Sequence, residues 1–227
     1  MGNYRFMKPI DMPRGTHYGN NYWIFRSRKL GRRVFAFSNL EYENLITLEM
    51  NPEVDFYCEQ PREIHLFEDG IEKKSIPDAW VLYKNGKEVF QEVKYSSELD
   101  PDNEKSARNL EQIRRERKWC EENGFGFQLR TENEIHAGEY YLRNLIFLYG
   151  HVNKVSGPEK RKMRNILDSI YNGISLEKVF ESSKLPDDEV WMVLSELFYE
   201  GYILFERIEK IPLRYEMELT VNEKKSL

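Results

Sequence analysis

The sequence predicts an α/β protein with a mixed sheet, followed by a small, mostly helical C-terminal domain. Residues 54–95 hold three segments of β-branched and aromatic residues separated by turns, and a long charged helix and a further strand complete the order β-β-β-α-β. Residues 158–221 then read as three short helices and a strand pair. We therefore expect two domains, residues 1–150 and 151–227.

The first regular element is a helix that begins at Ser38 and ends near Asn51-Pro52. Ser38 and Glu41 fit a capping box, in which the serine caps the helix and the glutamate reaches back to the serine amide. A glutamate on a helix that lies against a sheet can also serve a reactive centre. Both interpretations of Glu41 therefore stay open.

The three strands follow this helix directly. They are expected at residues 54–66, 75–83 and 87–95. Asp69-Gly70 marks one turn, and Asn85-Gly86 is the strongest short hairpin signal in the chain. The sheet should therefore contain an antiparallel meander.

A long charged helix is expected at residues 103–122. Its inward stripe is predicted to consist of Leu110, Ile113, Arg117 and Cys120. Asn123-Gly124 fits a left-handed helix stop, and residues 125–130 suit a further strand. A helix at residues 139–149 should close the first domain, and the polar, glycine-containing segment 150–157 should link it to the second.

The C-terminal domain follows the winged-helix plan of three helices and a hairpin. The helices are expected at residues 158–171, 175–182 and 186–200, and the strand pair within residues 202–221. In this plan the third helix and the wing are the usual contact surfaces for DNA. A helical cap without a ligand is the alternative interpretation.

Composition excludes several classes of protein. No apolar run is long enough to span a bilayer, and the polar N-terminal residues lack the apolar stretch of a secretory signal, so a cytoplasmic prokaryotic protein is expected. Cys58 and Cys120 are expected to be packing residues. The four histidines do not fall at the spacing of a zinc site: His17, His65, His136 and His151.

The net charge of -5 argues against a protein that coats nucleic acid on its own. Basic clusters occur at residues 26–33, 114–118 and 160–164, and each is more typical of a solvated face than of a DNA contact. Any contact with DNA should therefore be local or shared with a partner.

Three residues suggest a specific chemistry. Pro77-Asp78 begins one strand and Glu92-Val93-Lys94 lies on the next, which is the P-D…E-x-K pattern of metal-dependent nucleases. Phosphodiester hydrolysis needs a divalent cation to neutralise developing charge and to lower the pKa of the attacking water. Carboxylates suit Mg²⁺, and a lysine ammonium can orient the water or stabilise the transition state.

Hairpin register decides whether Asp78 joins the other two residues. A two-residue loop at Asn85-Gly86 would place Asp78 opposite Val93, on the wrong face. A three-residue loop that starts at Lys84, with Gly86 left-handed and a bulge, places Asp78 opposite Glu92. We therefore predict the bulged hairpin. An exposed hairpin decorated with charges is the alternative.

Five short motifs follow one another along the chain: Ser38-Asn39-Leu40-Glu41, Asn51-Pro52 with Val54, Glu59-Gln60-Pro61, Pro77-Asp78 and Glu92-Val93-Lys94. In order and spacing this succession resembles the TnsA endonuclease family of heteromeric transposases, and the resemblance covers most of residues 34–150. The C-terminal region resembles the second domain of that family more loosely.

The resemblance implies a restriction-endonuclease-like fold that cleaves the 5′ strands at transposon ends, with two Mg²⁺ ions for which Mn²⁺ can substitute. It assigns Glu41, Asp78, Glu92 and Lys94 to catalysis and the three acids to the metal. Some members carry Gln at the position of Glu92. The implied partners are double-stranded DNA, a DDE transposase subunit and an AAA+ ATPase regulator, which the C-terminal domain would engage together with DNA.

Two other functions fit the same residues. A stand-alone restriction or repair nuclease would share the core and cut without partners. A non-catalytic winged-helix DNA-binding adaptor would use the carboxylates only as structural groups.

Overall fold

The computed structural model describes residues 4–11, 21–68, 70–102, 104–152, 157–170, 173–223 and 225. The chain divides into two compact units, residues 1–49 with 53–135 and residues 50–52 with 136–227. This division comes earlier than the boundary expected at residue 150. The reason is that the helix at Tyr141–Val152 packs against a C-terminal helix, at Asp187–Glu200.

The first unit is built from a mixed set of strands and helices. Its elements are β1 (Trp23–Arg26), β2 (Arg33–Ala36), α1 (Asn39–Met50), β3 (Val54–Glu59), β4 (Ile64–Glu68), β5 (Ile71–Ser75), β6 (Ala79–Tyr83), β7 (Glu88–Val93), a short 3-10 helix (Ser96–Glu98), α2 (Glu104–Glu122), β8 (Gly126–Arg130) and α3 (Glu132–His136). The helix and strand order around the central sheet is therefore the predicted one, with α1 ending at the residue before Asn51-Pro52.

The central sheet has four strands in the order β3-β6-β7-β8. β6 is antiparallel to both β3 and β7, and β8 joins β7 in parallel, as a strand reached through a crossover helix must. One face meets α1, where Asn44 donates a hydrogen bond to Gln91. The other face meets α2, where Trp119 packs edge-on against Phe90, with 5.4 Å between ring centroids. The sheet is thus enclosed between two helices.

Two hairpins were not predicted. Residues 54–66 form not one strand but two, because Gln60 turns the chain with a φ of 35° just before Pro61. The second half, β4, pairs only with β5, which also takes Ser75 out of the expected strand at 75–83. The other hairpin, β1 with β2, lies in a region whose sequence has no clear periodicity. Asp69 lies outside the described residues.

The predicted inward stripe of α2 is half wrong. Ile113 and Cys120 are buried, but Leu110 is 37% exposed and Arg117 is exposed. The helix instead turns Glu116 inward, at 0% exposure. A stripe drawn from apolar residues misses this face, because the sheet surface beneath it carries buried polar groups.

Buried side chains account for several other predictions. Cys58 and Cys120 are buried and unbonded to each other, which confirms packing roles. In the basic cluster at 26–33, Arg32 forms a two-pronged ion pair with Glu59, at 2.6 and 2.7 Å, so it is neither a solvated residue nor a DNA contact. This pair ties the loop after β1 to the central sheet.

The second unit contains four helices and a small sheet. Its elements are α4 (Tyr141–Val152), α5 (Lys160–Ser169), β9 (Ile174–Ser175), α6 (Leu176–Ser183), α7 (Asp187–Glu200), β10 (Ile203–Phe205) and β11 (Glu218–Val221). The three helices and the strand pair expected here are confirmed. The short β9, which was not predicted, makes the sheet three-stranded in the order β10-β11-β9.

Two features of this unit bear on what it can contact. α7 begins with Asp187, Asp188 and Glu189, and most of its length is buried. The loop between β10 and β11 is held by Asn144, which donates to the carbonyls of Ile208 and Ile211 at 2.7 and 2.8 Å.

Among the described helices, none combines the length and apolar character needed to cross a membrane.

Candidate active site

The β6-β7 hairpin has the register that the site needs. Ala79 pairs with Gln91, so the next residues outward, Asp78 and Glu92, lie opposite each other. The Tyr83 amide donates to the Lys87 carbonyl at 2.9 Å across a three-residue loop. In this loop Gly86 has a φ of 85°, which favours glycine because a Cβ would be strained there. The predicted bulged hairpin is confirmed.

The layer beneath the site is also as predicted. Four small or β-branched residues are buried there: Ala79, Val81, Val89 and Val93. Because side chains alternate along a strand, their burial leaves Glu92 and Lys94 on the opposite face, together with Phe90 and toward α2.

Glu92 is only 1% exposed and forms an ion pair with Lys94 through its Oε1 atom. Gln112 of α2 donates a second hydrogen bond to the same oxygen at 2.8 Å. The other oxygen, Oε2, is buried and has no hydrogen-bond partner among the described residues. Oε1 of Glu92 therefore has two partners, whereas Oε2 has none among the described residues.

The structure adds Gln112 and Glu116 to the site, and sequence analysis missed both. Gln112 also donates to Glu116 Oε1 at 3.0 Å, and Ser75 at the end of β5 donates to that atom too. Glu116 Oε2, like Glu92 Oε2, is buried without a hydrogen-bond partner in the described part of the chain. The sequence signal that could have revealed Glu116 is its position on the inward side of α2, the helix that flanks the acidic site.

Glu41 combines parts of both interpretations. The Glu41 amide donates to Ser38 Oγ at 3.1 Å, so Ser38 is the N-cap. The return bond differs from a capping box, because Glu41 Oε2 accepts from the Phe37 amide at 3.0 Å. The same oxygen accepts from Gln60 Nε2 at 3.3 Å. Glu41 is thus both a cap group and a carboxylate turned toward the sheet.

Asp78 is held at the edge of the sheet by its own strand neighbours. Its Oδ2 accepts from the Val93 amide at 2.7 Å, and its carbonyl accepts from the Gln60 amide at 3.0 Å. The left-handed Gln60 therefore contacts both Asp78 and Glu41. The turn that ends β3 is part of the site framework.

Electrostatics link these side chains into one cluster. Burial raises the pKa of Glu41 to about 7, and the charge of Asp78 adds to the increase. Burial, then Asp78 and Glu116, raise the pKa of Glu92 well above its ordinary value. Burial also raises the pKa of Glu116. Four carboxyl groups therefore crowd around a single ammonium.

That ammonium stays charged. Burial alone would lower the pKa of Lys94, but the charges of Glu92 and Asp78 outweigh it, so that the pKa is raised. A raised pKa favours the protonated form of Lys94. It can hold positive charge beside Glu92 and offer it to an anion.

The donor set fits a hard divalent cation. All four acids offer oxygen, they outnumber the one lysine of the cluster, and two of their buried oxygens lack hydrogen-bond partners among the described residues. Within the part of the chain that the structure describes, however, no three acidic, cysteine or histidine side chains are close enough to form a finished cation site. A cation here would have to compete with the present contacts to Phe37, Val93 and Lys94.

A helix, three antiparallel strands, a crossover helix and a parallel strand, with this carboxylate and lysine cluster at one sheet edge, define a restriction-endonuclease-like fold. Residues 51–132 match the family model described as TnsA-like endonuclease N terminal. This segment, about a third of the chain, is therefore similar to the N-terminal domain of TnsA-like endonucleases. Among curated proteins, none matches the chain.

The matched segment includes Asp78, Glu92 and Lys94, and also the unpredicted Gln112 and Glu116. Glu41 and residues 136–227 lie outside it. The comparison therefore supports a nuclease of the transposase endonuclease type.

Proposed function

We propose that this chain is the endonuclease subunit of a heteromeric transposase and hydrolyses phosphodiesters of the 5′ strands at transposon ends. One observation carries the proposal: the three-residue hairpin loop sets Asp78 opposite Glu92, with the Lys94 ammonium against Glu92. A one-residue change of loop would have separated these groups. The TnsA-like endonuclease match over the same residues supports this assignment.

The proposed cofactor is Mg²⁺, as two ions, with Mn²⁺ able to substitute. Glu41, Asp78 and Glu92 would hold it, because they supply oxygen ligands around an excess of negative charge. A divalent cation, when bound, neutralises charge at the phosphate and lowers the pKa of an attacking water. The bare Glu92 Oε2 atom supports this role most directly, since a buried anionic oxygen without a donor is costly otherwise.

The protein side chains have separate tasks in this proposal. Lys94 stays protonated and stabilises the negative charge that builds on the phosphate during cleavage. The Val93 amide orients Asp78, and the Phe37 amide with Gln60 orients Glu41. Gln112 and Glu116 position Glu92 from the α2 side. The reactive groups are therefore supported from four separate parts of the chain: β7, the residue before Ser38, the turn after β3, and α2.

The second unit is proposed to be winged-helix-like and to engage partners. The order of helix, short strand, two helices and strand pair supports that architecture. The acidic first turn of α7 and its burial do not suit entry into a DNA groove, where lysine and arginine neutralise phosphates. We therefore favour protein contacts for α7, with the DDE transposase subunit and the AAA+ ATPase as the proposed partners.

The decisive experiment is cleavage of transposon-end DNA by the full chain with its transposase and ATPase partners in Mg²⁺. Asp78→Ala should abolish 5′-strand cleavage, by about 10³-fold or more, while the circular dichroism spectrum stays unchanged. Retained cutting by this variant would refute the assignment.

Two further outcomes would redirect the proposal. Cutting of plasmid DNA by the wild-type chain without partners would indicate a stand-alone restriction or repair nuclease. No heat of Mg²⁺ or Mn²⁺ binding in calorimetry, for wild type and Asp78→Ala alike, would indicate a non-catalytic adaptor.

A further inference from the structure

A polar cavity of about 450 Å³ lies beside the carboxylate cluster. Its lining is mostly basic or polar: Glu63, Lys74, Ser75, Ile76, Arg108, Gln112 and Arg115. Three cations face one carboxylate in this lining, although the chain as a whole is acidic. The cavity is therefore a local site for an anion.

The cavity shares its floor with the reactive cluster. Gln112 donates to Glu92 and Glu116, and Ser75 donates to Glu116. Ile76 is separated from Asp78 only by Pro77. A group bound in this cavity would therefore lie next to the bond on which the cluster is proposed to act.

Arg115 is the best-placed cation of the lining. Its side chain is only 16% exposed, and its Nε atom is buried without a hydrogen-bond partner among the described residues. Its ion pair with Glu111 is long, at 3.5 Å. A buried guanidinium nitrogen without an acceptor is costly, and a phosphate would supply that acceptor.

The other two cations differ in their availability. Lys74 is paired with Glu63 at 3.0 Å and contributes less net charge. Arg108 is exposed, and it makes no hydrogen bond or ion pair with the residues that the structure describes. Arg108 and Arg115 lie two turns apart on α2, so they present two guanidinium groups along one side of the cavity.

We infer that this cavity binds a backbone phosphate of DNA next to the phosphate that is cut, through Arg115 and Arg108. The inference rests on the proposed nuclease function and adds a substrate-positioning site to it. Arginine suits this task because its planar fork can bind phosphate oxygens through two hydrogen bonds. The site also explains how an acidic chain holds DNA with few positive groups.

The test measures binding rather than cutting, so that it can be read even if the chain proves not to be a nuclease. Fluorescence anisotropy with the full chain, double-stranded DNA and a chelator gives the dissociation constant over a range of salt. Arg115→Gln and Arg108→Gln should each weaken binding about tenfold, and each should lower the slope of log K against log salt by about 1.

Arg114→Gln is the matched control. Arg114 is the helix neighbour of Arg115, is paired with Glu111 at 2.7 Å, is 53% exposed and is not part of the cavity lining. Its replacement should change affinity less than about twofold and leave the salt slope unchanged. Arg108→Gln keeps the test valid if Arg115→Gln fails to fold, because Arg108 is exposed.

Four outcomes would overturn the inference. Equal loss in all three variants would mean that only general surface charge matters. No loss in the two cavity variants, or no measurable binding by wild type at low ionic strength, would mean that no backbone phosphate is held there. If the two cavity variants bound inorganic phosphate more weakly than wild type but bound DNA equally well, the cavity would be a site for a small free anion instead.

Discussion

Two groups of buried glutamates lie in the first unit, and their surroundings differ. Glu59 receives both prongs of Arg32, and Glu49 accepts from Ser27 Oγ and Tyr57 OH at 2.6 and 2.8 Å. In the second group, Glu92 and Glu116 each keep one buried oxygen without a donor among the described residues. The same fold therefore satisfies some buried acids and leaves others unsatisfied.

The difference shows where burial of charge is structural and where it is available for chemistry. Most partners of Glu49 and Glu59 come from the loop between β1 and β2, which supplies the Ser27 hydroxyl, the Arg28 amide and the Arg32 guanidinium. The chain thus possesses the means to neutralise a buried acid. The second carboxylate oxygens of Glu92 and Glu116 receive no such partner among the described residues, which is the pattern expected of a functional site.

The largest expected effect tests the satisfied group. Arg32→Met should lower the free energy of unfolding by about 3–5 kcal/mol, because Glu59, at 0% exposure, would be left buried without its ion-pair partner. Arg33→Met, at an exposed neighbouring position, should change it by less than about 0.5 kcal/mol. Chemical denaturation measures both. Equal stability of the two variants would show that the ion pair between Arg32 and Glu59 does not stabilise the fold.

The next effect tests the unsatisfied group. Lys94→Met should slow cleavage by about 10²–10³-fold, because the charge that stabilises the phosphate is lost. Stability should change by no more than about 1 kcal/mol, since Glu92, whose pKa burial already raises, can take up a proton instead. Lys87→Met, exposed beside the hairpin loop, is the control for rate. If Lys94→Met lost much stability but cleaved at the wild-type rate, Lys94 would have a structural role and not a catalytic one.

The smallest expected effect comes from the same substitution, glutamate to glutamine, made once in each group of buried glutamates. In a chelator, Glu116→Gln should raise the free energy of unfolding by about 1 kcal/mol, because the amide can donate to the bare oxygen of Glu92. Glu59→Gln should lower it, because an amide cannot accept from both prongs of Arg32. Thermal denaturation of the two variants gives the signs. Shifts in the same direction would show that the two groups are equivalent.

Much of the central sheet could be predicted from sequence, because local rules acted on it without competition. Asn85-Gly86 required a tight hairpin, and the need to keep Asp78 and Glu92 on one face selected the three-residue loop that the structure contains. The stop at Gly124, with a φ of 75°, followed from the same kind of rule.

Other features depend on distant partners, and sequence pattern could not supply them. Gln112 and Glu116 were missed because apolar periodicity points away from a helix face that meets a polar site. The partnership of Arg32 with Glu59 joins residues far apart in the chain, so Arg32 was grouped with a surface cluster. The break at Gln60 lies inside an apolar run and depends on a left-handed backbone at a residue other than glycine.

The hairpin loop has a consequence for how related chains are recognised. Because Gly86 and its two preceding residues fix the pairing of β6 with β7, loss of a single codon there would keep every acid and the lysine while turning Asp78 away from them. A genome search that scores only which amino acids are present would accept such a chain as a nuclease. Whether the loop length is odd or even is therefore as diagnostic as the motif itself.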